Sequence, residues 1–268
     1  MARIIIFRPT SLPNYMQTVQ DLQRRAGHAL WFRGSGNIAH ALEPSLYRHP
    51  TSKKPLELQL LERQLMTRFR QRSLPYHSRN LSDDWEALFF MQHYGVPTRL
   101  LDWTENSLVA LHFALMSSSI GGRSGKPKTA IIWVLNPHLW NERSLQHLSY
   151  QGGPLAPGDA GLKGYAPADL PGVVADFPVC LYGAYNSPRI AAQQGVFTIF
   201  GTSGDSMQSL VKNGTFPLKA LSGIAIHPSR ISRMRTALLN QGITESVVFP
   251  DLEGLARETK RHFGFKVR

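Results

Sequence analysis

Cysteine is nearly missing from these 268 residues. The single Cys180 excludes an internal disulfide framework and fits a reducing compartment, so the expected setting is the cytoplasm. Long apolar runs are missing too. The longest uncharged candidate, Ser107 to Met116, contains His112 and falls short of the roughly 18 residues a membrane span requires. Met1 to Phe7 is too short an apolar stretch for a signal peptide, so no membrane partner is expected. No repeat of 20–50 residues is present, which excludes solenoids and propellers. The chain has no GxxxxGK[ST], no HExxH, no cysteine pair and no GxSxG. Those absences remove a P-loop, a zincin or structural zinc site and a hydrolase elbow, and no metal is expected. Cys180 lies in an apolar run, Pro178 to Tyr182, and reads as a buried inert thiol.

Acidic residues are the scarce charges: 18 Asp and Glu stand against 30 Lys and Arg, a formal net charge of +12. The excess is uneven, with net +9 over residues 1–80, −3 over 81–186 and +6 over 187–268. Two basic flanks around a less basic middle suit a polyanion led past a central site, with nucleic acid first among partners. Aromatics near loops (Tyr76, Tyr165 and Phe177) suit stacking on exposed bases, which favours single-stranded RNA over duplex DNA. Phosphate contact of this kind weakens steeply with salt.

The pattern along the chain predicts a helix over Leu56–Arg72. It starts behind Pro55, carries an apolar stripe of Leu58, Leu61, Leu65 and Phe69, and has Arg63, Arg68, Arg70 and Arg72 outside. A second helix is expected over Ser82–Tyr94, capped by Ser82 or Asp83 and stopped by Gly95. A third starts after a Thr104 cap and runs through Leu115. Residues 117–128 read as a loop. Strands are expected at Thr129–Leu135, Val196–Phe200 and Leu221–Ile226, with 7 glycines and 6 prolines in residues 150–188 marking a functional loop. The chain closes with a basic helix near Ser229–Gln241, a strand at Ser246–Phe249 and a helix at Leu252–His262. Helices dominate the first 120 residues and strands the rest, which predicts an α+β fold in a single domain, the helical N-terminal part packed on a mixed β core.

Three clusters carry chemistry. Trp31 to Gly36 is a strand end opening into a glycine-rich turn, where the planar fork of Arg33 suits phosphate or carboxylate. Gln92 to Ser107 packs His93, Arg99, Asp102 and Thr104 into a connection between two apolar helices, and Arg99 and Asp102 are close enough in sequence to pair. Arg189 to Phe197 sets Gln193 and Gln194 directly before a buried strand. Arg68, Arg72, Arg99 and Arg189 are the candidate nucleic-acid contacts. His28, His40, His49, His138 and His147 have no evident partner.

In order, a Phe-Arg-Gly start at Phe32, a long block from Gln92 to Thr104 and a Gln-x-Gly-x-Phe strand at Gln193 resemble the FRG domain family. A closing stretch from Phe249 to Leu255 is similar to that family's C-terminal signature, so the resemblance covers about residues 25–258. It implies an ADP-ribosyltransferase-like fold with NAD as cofactor. It also implies modification of nucleic acid in a toxin–antitoxin or anti-phage system, with antitoxin and chaperone proteins as partners. Carried onto this chain, Arg33, Gly34 and Ser35 bind an NAD phosphate or ribose, and Thr104 orients the nicotinamide ribose. Gln194 contacts a ribose hydroxyl or the acceptor where the family pattern expects a glutamate, and Asp102 or His93 serves as base. Two other readings stand beside this one. One is a metal-independent ribonuclease using His93 with His112 or His227, and the other a non-enzymatic binding module.

Overall fold

The computed structural model describes residues 3–51, 54–118, 128–167, 176–184 and 187–265. In chain order the elements are β1 (Ile6–Phe7), α1 (Leu12–Ala26), β2 (Trp31–Ser35), α2 (Pro55–Ser73), α3 (Asp84–His93), β3 (Leu100–Thr104), α4 (Ser107–Met116), β4 (Ala130–Leu135), α5 (Pro137–Ser144), β5 (Val179–Leu181), α6 (Pro188–Gln193), β6 (Gly195–Ile199), α7 (Met207–Lys212), β7 (Leu221–Ile226), α8 (Pro228–Asn240), α9 (Glu245–Val248) and α10 (Leu252–His262). The strands form one sheet of order β1-β7-β4-β2-β3-β6-β5, antiparallel throughout except for the parallel β1–β7 pair. The fold is mixed α/β.

Every residue of β4 is buried, as its unbroken apolar sequence requires of a strand covered on both faces. Its side chains alternate between two cores. Ile131, Trp133 and Leu135 join Trp31, Trp103 and Trp140, while Ala130, Ile132 and Val134 join Phe32, Leu111 and Met234. A third apolar cluster packs α3 against β5 and β6 through Leu88, Phe89, Phe197 and Ile199. Helix α4 crosses β2 so closely that a Cβ on Gly34 would stand 1.9 Å from the Ala110 carbonyl oxygen. The glycine of the Phe-Arg-Gly triplet is therefore a packing requirement of α4.

Several expectations are corrected. The connection between α3 and α4 contains the buried strand β3, so strands are not confined to the second half of the chain. The expected strand at Ser246–Phe249 is the helical turn α9. Helical geometry there buries Val248, leaves Val247 outside and lets Arg261 Nε meet the buried Glu245 at 2.9 Å. Asn106, not Thr104, caps α4: its Oδ1 accepts from Leu108 N at 3.0 Å and Val109 N at 3.3 Å. Replacing Asn106 with alanine is expected to cost about 1 kcal/mol in urea denaturation, the usual worth of such a cap. The expected loop at 117–128 lies largely outside the described residues.

Candidate active site

Strands β2 and β3 lie side by side yet share a single register pair, Phe32 with Thr104, whereas β2 pairs with β4 along its whole length. A continued antiparallel ladder would set Arg33 against Trp103 and Gly34 against Asp102. Those four residues instead line a cavity of about 280 Å³. The parting leaves the Asp102 carbonyl without a ladder donor, and the Arg33 side chain supplies one: Nη1 donates to it at 2.5 Å and stands 3.7 Å from Asp102 Oδ2. The carboxylate itself is half-exposed to the cavity. Gln92, in the last turn of α3, donates from Nε2 to Asp102 Oδ2 at 2.8 Å, and Thr98 Oγ1 donates to Gln92 Oε1 at 2.6 Å. A relay from Thr98 through Gln92 thus fixes the one carboxylate among the lining residues. Phe89, Phe113 and Phe197 supply flat apolar walls.

Electrostatically the cavity is cationic. Burial lowers the pKa of Arg33 and the nearby Arg48 adds to that, while Asp102 opposes it. His93 faces the same space, its pKa lowered first by burial and then by Arg189 and Arg79, with Asp251 opposing. Its imidazole is therefore a neutral acceptor at pH 7. In an NMR titration, His93 is expected to titrate below the ordinary histidine value of about 6.5, and Arg189→Gln to raise it. Arg189, in the first turn of α6, lies over the Phe249 ring at 4.7 Å.

Of the site residues expected from sequence, Arg33, Gly34, His93, Asp102, Thr104 and Arg189 meet at this cavity. Others do not. Gln194 takes a left-handed turn at φ 45°, which exposes its side chain and leaves Gln193 on the cavity wall. Ser35 Oγ is engaged with the Asn37 carbonyl and with His40 Nδ1 at 3.0 Å, away from the lining. Thr104 Oγ1 donates to the Gln193 carbonyl and accepts from Asn106 N, so its proton is spent on joining β3 to α6.

Arg99 is no nucleic-acid contact and does not pair with Asp102. It is buried, with Nε 2.7 Å from Glu62 Oε2. Arg68 and Arg72 are exposed on α2. Among the aromatics, Tyr76 is exposed, Tyr165 is buried with its hydroxyl on the Phe177 carbonyl, and Phe177 packs edge-on against Phe216. Neither of the two histidines considered as a partner for His93 lines the cavity: His112 is buried off it and His227 caps α8. Sequence reasoning did not single out the roles of Gln92, Phe89 and Phe113, although Gln92 opens the polar block that suggested a site.

The structure thus has a cleft opened between two central strands of a mixed α/β sheet, with a fixed carboxylate beside a guanidinium on its wall. A family model described as FRG domain matches residues 28–120, about a third of the chain. The matched stretch contains Arg33, Gln92, His93, Asp102 and Thr104. No curated protein and no solved structure matches the chain. Among the described residues no helix is long and apolar enough to cross a membrane, and no group of three or more His, Cys, Asp or Glu is placed to hold a metal ion.

Proposed function

We propose that the cleft binds NAD and transfers ADP-ribose to nucleic acid, single-stranded RNA before DNA, as a toxin or anti-phage enzyme of FRG type. The observation that supports this most directly is the Asp102 carboxylate, held by Arg33 and Gln92 at the parting of β2 and β3. The donor set fits the cofactor. Arg33 and Arg189 suit its phosphates, the phenylalanine walls suit a flat ring, and Asp102 and Gln92 suit ribose hydroxyls. A volume of about 280 Å³ suits a ring with its sugar, leaving the remainder of a dinucleotide toward solvent.

NAD, when bound, supplies the ADP-ribosyl group with nicotinamide as the leaving group. Asp102 takes the part that the family pattern gives to a glutamate: a fixed anion that offsets positive charge developing on a sugar carbon, which an amide such as Gln194 does not do. Arg33 holds Asp102 in place and presents its remaining N–H groups to an anion. Neutral His93, on the same wall, accepts the proton released by the attacking group. Arg68 and Arg72, exposed on α2, are the remaining candidates for backbone contact with the acceptor, and antitoxin and chaperone partners follow from the family resemblance.

The test is incubation with NAD labelled in its adenylate half, in the presence of single-stranded RNA, DNA or protein. Label is expected on RNA. Absence of label from every acceptor, with no free ADP-ribose or nicotinamide released, refutes the reading.

A further inference from the structure

A second cavity, of about 610 Å³, shares no lining residue with the first. It lies between the last turn of α1, the β1 flank, the start of α5 and a turn at Leu218–Ala220. Its lining is two-sided in chemistry. Phe7, Leu22, Leu30, Val134 and Leu139 form an apolar floor, and Ile5 and Leu218 leave large apolar side chains in water beside it. Arg25 and Lys219 also line it, against the single acid Glu142. Among the described residues neither cation stands within ion-pair distance of an acid. The cavity therefore carries one net positive charge above a greasy base.

Two histidines complete it. His28, just past the Gly27 stop of α1, and His138, in the first turn of α5, stack with ring centroids 3.9 Å apart and planes inclined by 10°. The backbone is shaped to hold this pair. Gly152 and Gly153 both adopt left-handed φ, 90° and 95°, and pass His138 so closely that a Cβ on Gly152 would stand 3.0 Å from its carbonyl oxygen. Two imidazoles in face-to-face contact accept at most one proton cheaply, because the second meets the charge of the first at short range. His138 is held toward its neutral form by burial and by His28. The other charged groups facing the pair are Arg25 from α1, Lys219 from the turn and Glu142 from α5. An anion seated beside His138 offsets the burial and the neighbouring ring that hold back its charge.

We propose that this cavity binds a small amphipathic organic acid, its apolar body on the floor and its acid group among Arg25, Lys219 and the His28–His138 pair. A monoanion cancels the net charge of the cavity. It also stabilises an imidazolium on one ring, so binding takes up a proton and tightens as the pH falls.

The probe is 8-anilino-1-naphthalenesulfonate, whose sulfonate stays ionised, titrated onto the full chain at about pH 8 and about pH 6. Its affinity is expected to rise by up to roughly tenfold toward the lower pH. Decanoate is expected to displace it and decanol to displace it far less well. Arg25→Ala with Lys219→Ala is expected to weaken it by about tenfold or more, and His138→Ala to flatten the pH dependence. Near-ultraviolet circular dichroism confirms that each variant keeps its packing, since loosened proteins bind this dye indiscriminately. Ring NMR signals of His28 and His138 in the wild-type chain are expected to shift on adding decanoate. Equal displacement by decanol, undiminished binding in the double variant, or unmoved histidine signals would overturn the proposal.

Discussion

Arg99→Ala is expected to cost about 3–5 kcal/mol of folding stability, the scale on which a buried ion pair fails when one partner is removed. Glu62 on α2 is wholly buried, and Arg99 meets it twice: the backbone N–H donates to Oε1 and Nε to Oε2, each at 2.7 Å. The rest of the guanidinium reaches the Phe200 carbonyl at 3.2 Å and the Tyr165 carbonyl at 2.7 Å. One side chain thus ties α2, the entry to β3, the exit of β6 and the 160s loop together. Removing it strands a carboxylate in the core and orphans two carbonyls. Glu62→Leu combined with Arg99→Met removes the uncompensated charge, and that double variant is expected to recover much of the loss. Urea denaturation midpoints report both. A cost below about 1 kcal/mol for Arg99→Ala contradicts this account, since a solvated pair loses no more than that.

In the labelled-NAD assay, Asp102→Asn is expected to lower transfer on the order of 100- to 1,000-fold, the usual effect of deleting one preorganised electrostatic partner. Asparagine keeps the shape and an oxygen able to accept from Gln92, so the fold is preserved and only the charge is lost. Gln194→Gly relieves a left-handed backbone at an exposed position off the cavity, and is expected to leave labelling unchanged. The opposite result, with Gln194→Gly inactive and Asp102→Asn active, restores the sequence-based assignment and removes Asp102 from the chemistry.

Local signals carried much of the fold. Asp83 caps α3, Gly95 stops it at φ 75°, and α10 runs over the expected Leu252–His262. The unbroken apolar run of β4 marked a strand covered on both faces. What failed was non-local. Strand β3 hid because its five residues, Leu100 to Thr104, sit inside a polar block and include the half-exposed Asp102. Arg99 looked like a surface cation because its partner is 37 residues upstream. Gln193 rather than Gln194 lies on the cavity wall because of the left-handed turn at the second, a choice adjacent identical residues do not encode, and its Nε2 donates to the Val248 carbonyl at 3.1 Å. Ser246–Phe249 was expected as a strand, but the stretch forms a helical turn in which the buried Glu245 meets Arg261, a partner 16 residues downstream.

The single pair joining β2 to β3 also has a mechanical consequence. It divides the sheet into two plates, β1-β7-β4-β2 and β3-β6-β5, with α4 resting on both sides of the seam. Backbone bonds along such a seam are few, so relative tilting of the plates meets little resistance there, and Arg33 reaching to Asp102 acts as its latch. Any molecule seated between them grips both plates at once, so that occupancy of the cleft and stiffness of the whole sheet become one quantity, readable in the hydrogen exchange of strands remote from the ligand.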